Sequence, residues 1–205
     1  MAEADAAIHE EHEQTSTGLN HRKLLMWAFL GSDCMFFGSL IATYVVYQGK
    51  SVSGILPIDV FSIPITSVST FVLLMSSMSM VLSYAALRQG KIDSFRIWIF
   101  STAILGMVFL AFQVFEFRHF VHEGLTLQSN LFGTTFFVLT GFHGAHVTLG
   151  VIWLLSLGFH SFGGGVRPET HLDVDLAALY WHFVDVVWII IFTVVYLFGV
   201  FPGLQ

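Results

Sequence analysis

The chain has 205 residues, of which 55% are hydrophobic and only 11% charged, with a mean hydropathy of +0.76. Soluble domains carry roughly 25% charged residues, so this composition excludes a soluble enzyme or a nucleic-acid binder and indicates a polytopic membrane protein. The single cysteine, Cys34, excludes an intrachain disulfide, a CxxC site and a Cys-rich zinc site, and the net charge of −6 gathers at the N-terminus and says little about partners.

Residues 1–21 are polar and acidic and hold His9, His12 and His21. They lack the basic and apolar regions of a signal peptide and read as a solvated tail, with metal binding or proton collection by the histidines as sharper alternatives. The rest, 22–205, reads as a single membrane domain. A helix crossing a bilayer needs about 20 apolar residues, and five runs qualify: about 24–47, 65–87, 95–121, 131–159 and 176–201.

In the first run Asp33 lies about 14 Å below the start of the helix at 1.5 Å per residue, too deep for an interfacial charge. Gly31, Ser32, Gly38 and Ser39 offer small surfaces for close helix approach. The linker to the second run, with Gly49, Gly54, Pro57 and Pro64, is too broken to span. The second run is rich in Ser and Thr, which can bond to the preceding turn. Its Met75, Met78 and Met80 read as packing ahead of copper binding. In the third run Gln113, Glu116 and His119 share a face, and Glu116 either reaches the interface or is held by His119 or Arg118.

The fourth run contains GFHGAHVTLG, with His143 and His146 three positions apart. A polar loop from His160 to Asp175 follows, and the fifth run opens YWHFVDVVW, with His182 and Asp185 again three apart and so on one face. The pattern predicts that Asp185 pairs with His182. Five spans put the termini on opposite sides. Arg22, Lys23, Arg88, Lys91, Arg96 and Arg167 on the N-terminal side, against Lys50 and Arg118 on the other, account for all eight Lys and Arg. The positive-inside rule then predicts a cytoplasmic N-terminus and an outward C-terminus.

At these depths Asp33, His143, His146, His182 and Asp185 fall in one mid-membrane layer, where buried polar groups must find partners. Three readings of the layer stay open on spacing alone. The first is a scaffold that locks helices or holds lipid. The second is a carboxylate and imidazole relay for protons or ions, and the third a haem or metal site. The histidine spacing suits a single metal poorly, since i, i+4 is the commoner helical arrangement.

Four segments carry a family resemblance: STFVLLMSS (Ser69 to Ser77), QVFEF (Gln113 to Phe117), FGTTFFVLTGFHGAHVTLG (Phe132 to Gly150) and YWHFVDVVWIIIFTVVYLFG (Tyr180 to Gly199). In them, and in the loop between the last two helices, the chain resembles subunit III of haem-copper terminal oxidases (the cytochrome c oxidase subunit 3 family) in its short five-helix bacterial form. The resemblance implies an all-α integral membrane fold, a bundle of five transmembrane helices like subunit III. It implies an accessory subunit with no catalytic residue, no cofactor-binding residue and no metal ligand of its own. Haems and copper are expected in partner subunits I and II. Subunit I is the direct partner, with subunit IV a further candidate and bound phospholipid lining an oxygen path.

The resemblance further implies a proton-pumping complex in a bacterial inner membrane that reduces oxygen to water, with cytochrome c as the leading donor and quinol as the alternative. Glu116, His143, His146, Trp181, His182, Asp185 and Trp188 match family motif positions, and Asp33 stands where relatives carry Glu or Asp. The implied role of all eight is structural, or contact with lipid or subunit I. Many relatives carry Glu where Ser62 stands ahead of Ile63-Pro64, so whatever that carboxylate does in them is closed to this chain. A freestanding transporter and a membrane cytochrome b are the rivals. The first would be active alone in liposomes, and the second would show a haem band when purified alone.

Overall fold

The computed structural model describes residues 20–48, 63–167 and 171–200. His9, His12, the broken linker and Ser62 lie outside the described residues. Among the described residues five helices are long and apolar enough to cross a membrane: α1 (His21–Tyr47), α2 (Ile63–Arg88), α3 (Ile92–His122), α4 (Leu131–Phe162) and α5 (Leu172–Ile191). The last continues through a π-helical turn, Phe192–Leu197, into a final α-helical turn, Phe198–Val200.

The helices extend beyond the apolar runs because local chemistry caps them. The Asn20 side chain accepts from the Arg22 N–H at 2.9 Å, and Asn130 accepts from Gly133 N–H at 2.7 Å, each satisfying a backbone donor that the first turn leaves free. Pro64 sits in the first turn of α2, where its missing N–H costs no bond. Three C-termini close alike. Gly90, Gly124 and Gly164 adopt φ of 73°, 93° and 72°. The next N–H returns to the carbonyl of Ala86 (3.0 Å), Phe120 (2.9 Å) and His160 (3.3 Å) respectively, the left-handed glycine stop of a Schellman motif. α4 thus runs on into the expected loop as far as Phe162, and α5 starts at Leu172 with Asp173 and Asp175 in its first turn, where the helix dipole favours acids.

α2 and α3 form the most extensive antiparallel pair. α4 packs on α3, and α5 closes against both α2 and α4. α1 lies outside, on α4 and α5. Burial follows this order: half of the most apolar window of α5 is buried within the chain, against 17% for α1. At one end of the bundle Arg22 pairs with Asp173, Lys23 Nζ lies 2.7 Å from Asp175 Oδ2, and Arg96 donates to the Ser161 carbonyl at 2.7 Å. The starts of α1, α3 and α5 and the end of α4 therefore share one face, as alternating spans require.

The small residues of α1 are not contact points within this chain. A Cβ on Gly31 or Gly38 would meet nothing within 4 Å, because the buried stripe of α1 is Met26, Leu30, Asp33, Phe37 and Tyr44. Close approach occurs elsewhere, at Gly106, Gly144, Gly150 and Gly158, where an added Cβ would stand 2.6–2.9 Å from Trp181, Gln113 or Phe100.

Candidate functional site

The inner face of α5 is built on its two tryptophans. Trp181 and Trp188 are 1% and 2% exposed. Their indole N–H groups cannot stay unpaired in an apolar interior, and both donate to α2: Trp181 Nε1 to Ser76 Oγ and Trp188 Nε1 to Thr70 Oγ1, each at 3.0 Å. The hydroxyls in turn donate to backbone carbonyls one turn back on α2, at Leu73 and Thr66. The second span thus uses its Ser and Thr both on its own backbone and across to its neighbours. Ser79 and Ser83 donate to carbonyls of α3, those of Trp98 and Phe95. Both indoles are buried within this chain.

His182 and Asp185 stand at the same α2–α5 seam. His182 Nδ1 lies 2.6 Å from Ser77 Oγ. The expected pairing of His182 with Asp185 does not form, because Ser77 comes between the helices at that level and takes the imidazole. Asp185 is 3% exposed, and neither carboxylate oxygen has a hydrogen-bond partner of normal geometry among the described residues. The Ser77 hydroxyl, engaged with His182, is the polar group that faces it.

Asp33 and His146 meet at a different seam, between α1 and α4, with Asp33 Oδ2 3.7 Å from His146 Nε2. The far ring nitrogen, Nδ1, lies 2.8 Å from the Phe142 carbonyl, and Tyr180 donates to the His146 carbonyl at 3.0 Å, tying α5 to α4 there. Phe37 packs edge-on to the His146 ring at 4.9 Å. His143, one turn earlier, is fully buried. It stacks on Trp188 at 4.9 Å and meets Phe109 edge-on at 6.0 Å. Both of its ring nitrogens lack partners among the described residues. The five residues of the predicted layer therefore divide between the α1–α4 seam, the α2–α5 seam and an aromatic cage.

Glu116 is 5% exposed and lies within the bundle. Its partner is neither His119 nor Arg118: Thr66 on α2 donates to Glu116 Oε1. α2 crosses α3 at that level, whereas Arg118 and His119 point away from the contact on the exposed side of α3. One turn before Glu116, Gln113 donates to the Thr140 carbonyl on α4 at 2.8 Å. Among the described residues no three His, Cys, Asp or Glu side chains converge so as to hold a metal ion. Sequence reasoning missed Thr66, Thr70, Ser76, Ser77 and Tyr180 as partners. The available signal was the line Thr70, Ser77, Tyr84, seven apart and so on one side of α2.

The family model described as Cytochrome c oxidase subunit III matches residues 4–200. A quinol oxidase subunit 3 of Bacillus spizizenii is 37% identical over 198 residues, covering 93% of this chain and 97% of the relative. A probable quinol oxidase subunit 3 of Staphylococcus saprophyticus is 39% identical over 193 residues, covering 93% and 96%. A cytochrome c oxidase subunit 3 of Bacillus sp. (strain PS3) is 36% identical over 189 residues, covering 92% and 91%.

Proposed function

The chain belongs to the cytochrome c oxidase subunit III family of haem-copper terminal oxidases, and from that premise we propose that it is the accessory, non-redox subunit that braces the catalytic subunit I. The observation that carries this reading is how the ionisable side chains inside the bundle are disposed. Thr66 and Ser77 on α2 reach Glu116 and His182 on neighbouring helices, and Asp33 faces His146 across the α1–α4 seam. Pairs set in separate helix seams suit a scaffold better than a conducting relay. Haems and copper belong to subunits I and II in this reading, with subunit IV a further neighbour and phospholipid along the oxygen path. The complex sits in a bacterial inner membrane, reduces oxygen to water and pumps protons, with the basic end of this chain in the cytoplasm.

For the electron donor, quinol is the first reading, supported by the names of the Bacillus spizizenii and Staphylococcus saprophyticus relatives. Cytochrome c, the donor expected from the sequence, is the second, supported by the Bacillus sp. (strain PS3) relative. A C-terminal tag and gentle-detergent purification test the whole proposal. Haem absorption and oxygen uptake must come down with the tag, and the donor that sustains uptake, quinol or reduced cytochrome c, names the branch. A colourless chain purified alone, active in proton or ion transport in liposomes, would replace the proposal with the transporter.

A further inference from the structure

His182 lies ten residues beyond the start of α5, about 15 Å along the helix axis. Its partner Ser77 is at the middle of α2, so the pair sits near the bilayer mid-plane. The imidazole is only half-buried. Ser77 occupies Nδ1, and among the described residues Nε2 has no hydrogen-bond partner. A polar atom facing hydrocarbon at that depth is costly because nothing there can bond to it, and ionisable groups inside a membrane characteristically face protein. Asp185, 3% exposed, faces the same Ser77 hydroxyl. Outward of His182 the face of α5 continues through Val186, Ile189 and Ile190, which are 53%, 42% and 44% exposed. α1 and α2 flank α5 on either side without a substantial contact between them. The result is a shallow, largely apolar trough with the His182 ring nitrogen at its centre; the nearby hydroxyls of Ser77 and Thr193 are already engaged, with His182 and the Ile189 carbonyl.

We propose that this trough between α1 and α2 is where a transmembrane helix of another oxidase subunit docks, with a hydrogen-bonding side chain of that helix engaging Nε2 of His182. The occupant is a protein helix, since the ring nitrogen left open in the trough lies where a lipid presents only acyl chain. The inference rests on the assignment to an oxidase complex and specifies which face of this subunit meets its neighbour.

The test uses the whole complex. His182→Asn keeps a group at the position of Nδ1, and so the Ser77 bond, but removes the outward atom. His182→Gln keeps a group at the position of Nε2. The Asn variant is expected to be retained by the haem-bearing subunits about five- to tenfold less well, the scale of one net interhelical hydrogen bond, with the melting of this chain alone unchanged. The Gln variant is expected to be retained normally. In parallel, benzoyl-phenylalanine at Val186 should photo-crosslink to another oxidase subunit, while the same probe at Ile104 on the outer face of α3, 53% exposed, should not. Crosslinks from Val186 to lipid alone or to a second copy of this chain, or normal retention of the Asn variant, overturn the proposal while leaving the oxidase assignment standing. Failure of the wild-type chain to bring down any haem subunit overturns that assignment, and this inference with it.

Discussion

Trp181 fills the space that a side chain at Gly106 would need: a Cβ there would stand 2.6 Å from Cη2 of the indole. Across the ring, a Cβ on Gly150 would stand 2.8 Å from Cζ3. The indole has no room to yield, being fully buried and held by Ser76 through Nε1. One residue of α5 thereby fixes the spacing of α2, α3 and α4 around it.

Gly106→Ala and Gly150→Ala should each destabilise the subunit. Overpacking costs about 1–3 kcal/mol, and the gain in helix propensity, about 1 kcal/mol, offsets only part of it. Gly141→Ala is the control, since a Cβ there meets nothing within 4 Å, and it should be neutral or slightly stabilising. Thermal melts in detergent decide the matter: equal melting of the three variants would mean that Trp181 is not a fixed wedge.

The five spans were legible because hydrophobic runs of membrane-crossing length leave few alternatives. So were the buried acids and histidines, whose cost in a bilayer makes them conspicuous. Their partners were not legible. Spacing shows which residues share a face, but not which neighbouring helix that face meets. Spacing therefore points Asp185 at His182 on its own helix, whereas Ser77 on α2 takes the imidazole. For Glu116 spacing offers the interface, His119 or Arg118, whereas Thr66 on α2 supplies the bond. Gly31 and Gly38 illustrate the converse, small residues that lie off the stripe by which α1 packs on this chain's own helices. The π-helical turn at Phe192–Leu197 adds a residue to a turn without disturbing an apolar run, so hydropathy carries no trace of it.

The Thr66–Glu116 bond gives a second prediction. Thr66→Val preserves shape and removes the donor, leaving a buried carboxyl without that partner. The loss should be about 1–3 kcal/mol. Thr66→Val combined with Glu116→Leu should recover much of the loss, because an apolar pair needs no partner. A double-mutant cycle on melting temperature reads the coupling directly. Additive effects of the two substitutions would show that the hydroxyl and the carboxylate act independently.

Orientation is testable without purification. The starts of α1, α3 and α5 share one end of the bundle with the end of α4, and that end carries Arg22, Lys23, Arg88, Lys91 and Arg96. If it is cytoplasmic, alkaline phosphatase fused after Gln205 should be active. A fluorescent protein fused before Met1, of a kind that matures only in the cytoplasm, should fluoresce. The opposite pattern would invert the proposed topology and move every basic residue of this end outside.

α1 is the least buried helix, and its hold at the basic end depends on ion pairs to the start of α5. Of the two, Lys23–Asp175 is the better shielded, with side chains 35% and 18% exposed against 57% and 44% for Arg22–Asp173. Exposed pairs contribute roughly 0–1 kcal/mol, so the shielded pair should dominate. Lys23→Glu places two acids together and should loosen the first turns of α1 from α5, raising amide hydrogen exchange there while leaving α2 and α3 unchanged. Adding Asp175→Lys restores a pair of opposite sign and should return exchange towards the wild-type rate. Arg22 stays in place in both variants, so a basic residue remains at that end of α1 throughout. Recovery in the double variant would establish that the Lys23–Asp175 contact fastens α1 to α5. Exchange that stays high in the double variant would place the fastening further along the helix, at the packing of Phe37 on His146 and of Tyr44 on Phe132.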